Sequence, residues 1–194
     1  MPKSVLLLRQ PMKIKTFKYS ENFCEENIWH LCQNPELDGF TKKVLIISNS
    51  SRNCSFRFQK SPNGDEVVWW DYHVILLASN LDSRLIYDFD SILEFPSPLK
   101  SYLEATFPTD LSQESKDLPG FKAITSGDFI HSFISDRGHM KDDQGNWIST
   151  PPKWPAIGKS GGLPLPELLD FTDSSKERIF SLEEIYAHTQ GVSY

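Results

Sequence analysis

A chain of 194 residues suits one compact domain and is hardly long enough for two. Its 39% hydrophobic and 24% charged composition, with 13 Phe, 6 Tyr and 5 Trp, is that of a globular protein able to bury a large aromatic core. A net charge of -6 speaks against nucleic acid, and three cysteines without a C-x-x-C pair speak against a disulfide framework or a zinc cluster. The expected setting is therefore a reducing compartment in which a free thiol persists. No apolar run approaches the ~18 residues of a membrane span, and Val5-Leu6-Leu7-Leu8 is shorter than a signal-peptide core of roughly 7–15 residues.

Residues 1–18 read as an N-terminal arm and residues 19–194 as a single catalytic domain. A helix is predicted over 20–32, with Ser20 or Asn22 as N-cap and Ile28 and Leu31 on its apolar side. Val44-Leu45-Ile46-Ile47 suits a buried strand, and Phe56 and Phe58 alternate with Arg57 and Gln59 in a second one. After the turn signal Pro62-Asn63-Gly64-Asp65, one long strand is predicted over 67–78, interrupted in character by Asp71, Tyr72 and His73. Residues 80–83 form the next turn, and 84–90 return as an antiparallel partner. A helix with Tyr102, Leu103 and Phe107 on its inner face follows Pro98. Residues 121–125 suit a strand, Ser126 caps a short helix over 128–134, and 136–166 form a long excursion of the kind that is usually functional or disordered. Ser181-Leu182-Glu183-Glu184 is a capping box opening a last helix that Gly191 would close. The order of elements predicts an α+β fold.

Three residues stand out chemically. Cys24 lies at a helix start, where unpaired N–H groups favour a thiolate, although Glu25 and Glu26 oppose it. His73 is set in a hydrophobic strand, an expensive place for an imidazole without a partner. Asp88 falls near His73 across the expected hairpin, within the ~4.5–5.5 Å of cross-strand neighbours. Asp90 shares the parity of Asp88 and competes for the same role, and Asp71 shares the face of His73. Nucleophile, base and orienter in the order Cys, His, Asp form the set of cysteine hydrolases and transferases. Cys32 and Cys54 read as core thiols.

Several runs carry a family likeness: Phe23-Cys24-Glu25-Glu26-Asn27-Ile28-Trp29, Trp70-Asp71-Tyr72-His73, Ile86-Tyr87-Asp88-Phe89-Asp90 and Ser135-Asp136-Arg137-Gly138-His139. With Gly145-Asn146-Trp147 and Trp154-Pro155 they resemble protein N-terminal glutamine amidohydrolase over roughly residues 19–186. The resemblance implies Cys24 as nucleophile, His73 as base and Asp88 as third member, on a papain-like or transglutaminase-like core with an antiparallel sheet. It implies a monomer without cofactor or metal in cytoplasm and nucleus, whose product, N-terminal glutamate, feeds arginylation and N-degron-dependent degradation. The expected partners are proteins or peptides with a free N-terminal Gln; no nucleic acid or membrane is expected.

Selectivity for such a substrate needs an acceptor for its α-ammonium and a slot that fits Gln. Glu25, Asp71 and Asp136 are the candidate acceptors, Trp70, Tyr72 and Trp154 candidate walls, and His139 a candidate binding residue. Two alternatives share these residues: another thiol acyl-transfer enzyme of similar fold, transglutaminase-like or a peptidase, and a non-catalytic module that binds protein N-termini.

Overall fold

The computed structural model describes residues 17–60, 66–107, 118–158, 162–172 and 178–189. Its first element is helix α1 (Cys24–Cys32), which leads through a 3-10 turn at Pro35–Leu37 into strand β1 (Thr41–Ser48). Then come β2 (Cys54–Arg57), β3 (Val67–Trp70), β4 (His73–Ser79), β5 (Arg84–Tyr87) and β6 (Ser97–Pro98). Helix α2 (Leu99–Thr106), β7 (Gly120–Thr125), α3 (Ser126–Ser132), β8 (Phe133–Ile134), β9 (Leu163–Pro164), α4 (Leu165–Leu168) and α5 (Leu182–Thr189) complete the chain. The fold is α+β, built on a five-stranded antiparallel sheet in the order β6-β5-β4-β1-β7. No described helix is long and apolar enough to cross a membrane.

The central strands β1 and β4 read as continuous apolar runs because both faces of the sheet are covered. Alternation sorts their side chains: Val44, Ile46, Val74 and Leu76 join Ile28 and Leu31 of α1 and Phe129 of α3 on one face. Leu45, Ile47, Ile75 and Leu77 meet Phe56 of β2 and Leu99, Tyr102 and Leu103 of α2 on the other. Each of these side chains contributes roughly 1.5–3 kcal/mol by leaving water, which fixes the register of β4 between its neighbours.

Several local expectations are corrected. Neither Ser20 nor Asn22 caps α1. Phe23 occupies the cap position, and the Asn27 side chain instead reaches back to bond the backbone N–H and C=O of Ser20, each at 2.8 Å. The expected strand over 67–78 is two: β3 pairs only with β2 in a separate ribbon, and the chain breaks at Asp71 and Tyr72 before β4 enters the main sheet. Phe58 does not continue β2, because its φ of 56° ends the strand and leaves the ring exposed. The return strand stops at Tyr87, with a turn at Phe89 and Asp90. Thr125, not Ser126, caps α3 by accepting the Asp128 N–H at 3.2 Å. The capping box of α5 forms as read, with Ser181 and Glu184 exchanging bonds of 2.9 and 3.2 Å. Gly191 and most of the N-terminal arm lie outside the described residues, but Phe17 packs edge-on against Phe89 and Phe95.

Candidate active site

The site gathers where α1 begins, β4 begins and the chain leaves β5. The β4–β5 ladder pairs Leu77 with Ile86 and Leu76 with Tyr87, so its continuation would set Asp90, not Asp88, opposite His73. The expected hairpin register is therefore two residues off. The ladder ends at Tyr87, however, and the turn that follows brings Asp88 back to His73. Asp88 Oδ1 lies 2.8 Å from His73 Nε2, with both side chains buried.

The other oxygen of Asp88 accepts the Tyr102 hydroxyl at 2.7 Å, and Oδ1 also accepts the Asp90 N–H at 3.0 Å. Burial works against a charged ring at His73, but the Asp88 carboxylate outweighs it and holds the imidazole above its ordinary value. Burial likewise opposes ionised Asp88, yet the contacts with His73 and Tyr102 keep it below the usual carboxylate range. Asp90 accepts the Tyr19 hydroxyl at 2.7 Å, and its carboxyl is raised, first by burial. Ligand atoms of His73, Asp88 and Asp90 lie within 4.8 Å of one another. The bonds among them and to the two tyrosines make this an oriented acid–base pair. Trp70 lies against the imidazole, ring centroids 4.5 Å apart.

Cys24 reaches the same strand end from α1. Its sulfur accepts the backbone N–H of Val74, the residue after His73, and its S–H is directed to Glu25 Oε2 at 3.6 Å rather than to His73. Burial, and then the charges of Glu25 and Asp90, push the thiol well above its ordinary value, so the sulfur rests protonated.

The two neighbouring glutamates are both fully buried but differ in their partners. Glu26 accepts a two-pronged bond from Arg137 at 2.8 Å on each oxygen, the Ser135 hydroxyl at 2.8 Å and the Trp154 Nε1–H at 2.6 Å. It thereby ties the 135–154 excursion to α1, and Arg137 holds φ 60° to make the contact. Glu25 accepts the Tyr72 hydroxyl at 3.3 Å and the Cys24 thiol, both on Oε2, while Oε1 has no hydrogen-bond partner among the described residues. Burial raises its carboxyl from 4.5 to about 7. His139 Nε2 stands 3.6 Å from that Oε1 and 3.4 Å from the Tyr72 hydroxyl, and burial lowers its imidazole below the ordinary value.

The N-terminal glutamine amidase family model matches residues 19–191. The chain belongs to the N-terminal glutamine amidase family. Among curated relatives, the protein N-terminal glutamine amidohydrolase of Bos taurus is 38% identical over 144 residues, covering 72% of this chain and 70% of its own. The relative of the same name in Danio rerio is 38% identical, covering 72% and 71%, and that in Drosophila mojavensis 36% identical over 151 residues, covering 75% and 74%.

In this family member every site residue read from the sequence falls inside the matched span. The structure brings together Cys24, Glu25, Tyr72 and His139, and separately His73, Asp88 and Trp70. Asp71 and Asp136 are exposed and bond locally, to the N–H groups of Tyr72 and Gly138. Sequence reasoning missed Tyr102, Tyr19 and the Glu26 hub. A tyrosine as deeply placed as Tyr102 needs a partner for its hydroxyl, and that was the available signal. A separate cleft of ≈ 330 Å³, bordered by Asn49, Arg52, Glu167 and Phe171, contains none of these residues. Cys32 and Cys54 are buried, as expected of core thiols.

Proposed function

We propose that this family member hydrolyses the side-chain amide of an N-terminal glutamine in proteins and peptides, giving N-terminal glutamate and ammonia. The observation that supports it most is the buried His73–Asp88 pair at the head of β4, where the Cys24 sulfur meets the Val74 N–H, in a chain of this family. A helix-borne thiol packed on an antiparallel sheet that carries the base is also the papain-like arrangement.

His73 takes the Cys24 proton, and the sulfur attacks the carboxamide carbon. The tetrahedral oxyanion is met by the backbone N–H of Cys24 at the start of α1, together with a second donor. The C–N bond breaks, ammonia leaves with the proton held on His73, and a thioester remains on Cys24. Water then gives a proton to His73 and its hydroxyl to the thioester carbon, and the thiol is restored as glutamate departs. Asp88, held by Tyr102, keeps the ring oriented and stabilises the imidazolium. The product in cytoplasm or nucleus is a substrate for arginylation.

Mass spectrometry of a Gln-initiated peptide incubated with the protein tests the reading. The expected result is a gain of about one mass unit, –NH₂ replaced by –OH, with no cleavage. A cleaved peptide or an incorporated amine would replace it with the peptidase or transglutaminase-like alternative. An unchanged peptide would reject turnover.

A further inference from the structure

Resting on that reading, we infer that Glu25 is the acceptor of the substrate's α-ammonium, and that its Oε1 is the docking atom. Glu25 and Glu26 are adjacent and equally buried on the same helix. A buried carboxylate costs several kcal/mol unless a cation and hydrogen bonds compensate it. Glu26 has both, from Arg137, Ser135 and Trp154. Glu25 has a phenol and a thiol on Oε2 and the help of its own backbone N–H, but no cation beyond a neutral histidine, and among the described residues no other residue hydrogen-bonds Oε1. An incoming ammonium supplies what the fold withholds.

The other two carboxylates face solvent instead of the interior. Asp71 and Asp136 are exposed, and each already accepts a neighbouring N–H, at 3.0 and 2.8 Å. A solvated carboxylate discriminates weakly between a free amine and an acetylated one. The place over Glu25 Oε1 is held by His139, 3.6 Å away, whose side chain is 27% exposed and sits on a short 3-10 turn at Gly138–Met140. The ammonium reaches Oε1 by displacing His139, and Tyr72, within bonding distance of both Glu25 and His139, borders the same place.

Position follows as well. Glu25 Oε2 is 3.6 Å from the sulfur, so an ammonium on this carboxylate starts one side chain away from the nucleophile. Four bonds separate the α-nitrogen of glutamine from its carboxamide carbon and three in asparagine, a difference in reach of about 1.3 Å. The ammonium also competes for the carboxylate that now holds the thiol hydrogen, which frees the thiol to turn to His73. Docking and activation of the nucleophile are thus one event.

The test is binding, so that it stands whether or not turnover occurs. In a Cys24→Ser background, the affinity of a Gln-initiated peptide and its N-acetyl form is measured by titration calorimetry with Glu25, Glu25→Gln, Asp71→Asn and Asp136→Asn. Glu25→Gln is expected to lose about 10- to 100-fold in affinity for the free peptide and nothing for the acetylated one. Asp71→Asn and Asp136→Asn are expected to keep the preference within about twofold. Circular dichroism of each variant confirms folding, and Glu25→Asp provides a second, charged variant that keeps part of the preference. A preference that survives Glu25→Gln, one lost in Asp71→Asn or Asp136→Asn, or none at the outset, would overturn the assignment. An unchanged peptide mass in the turnover assay rejects the amidase reading instead, and the two failures are read separately.

Discussion

Replacing Glu25 by glutamine should make the protein more stable and a worse enzyme. The carboxyl titrates near 4.5 in an unfolded chain and at about 7 in the fold, chiefly because it is buried. Between those values the folded chain keeps a proton that the unfolded chain has lost. Stability from this source is therefore whole below 4.5 and is lost as pH rises to about 7. At about 1.4 kcal/mol for each pH unit, the ionised form costs the fold roughly 3 kcal/mol at pH 8. Glutamine removes the charge at nearly the same side-chain volume. The titrating neighbours of Glu25 are Cys24 and Glu26 on α1, Tyr72 before β4, Arg137 and His139 on the excursion, and His73. All are common to both proteins, so the difference between them isolates Glu25. In a chain of this size roughly 3 kcal/mol corresponds to about 6–12 °C in melting temperature. Thermal unfolding of both proteins at pH 4.5 and pH 8 is the assay. The variant should melt close to wild type at pH 4.5 and well above it at pH 8. A difference independent of pH, or a wild type that melts higher at pH 8, would refute the burial argument.

The same titration bears on catalysis: kcat/KM for a Gln-initiated peptide should climb as pH rises through about 7, because only ionised Glu25 pairs with the ammonium, and Glu25→Gln should lack that part of the rise. Cys24→Ala and Cys24→Ser should release no ammonia while melting near wild type, whereas Cys32→Ala should keep most activity at a cost of about 1 kcal/mol; full turnover in Cys24→Ala would end the thioester mechanism. Asp88→Asn should lose about 10³–10⁴-fold in kcat by admitting the wrong His73 tautomer, and Asp90→Asn, which bonds Tyr19 instead, about tenfold at most; steady-state rates that rank the other way would move the third member to Asp90. Arg137→Met should strand the buried Glu26 carboxylate and cost about 3–5 kcal/mol, read as a shift in the denaturation midpoint.

What the sequence determined by itself is what depends on local pattern. The apolar run at 44–47 demanded a strand covered on both faces, the capping box at 181–184 opened a helix, and a thiol at a helix start with a histidine in an apolar strand stood out as candidates. The motif runs around Cys24, His73 and Asp88 carried the family, because residues that must meet are spelled out even when their distances are not. Tertiary structure decided everything that needs two distant segments at once. Whether Asp88 or Asp90 reaches His73 turned on the ladder ending at Tyr87, and a period-two pattern says nothing of where a ladder ends. The sequence offered Glu25 as an acceptor, yet nothing local separates it from the adjacent Glu26. The two differ in the fold because Arg137, Ser135 and Trp154, more than a hundred residues away, close on one of them, while an oxygen of the other has no hydrogen-bond partner among the described residues. A carboxylate's role is set by which charges and donors burial brings to it, and that is a property of the folded chain.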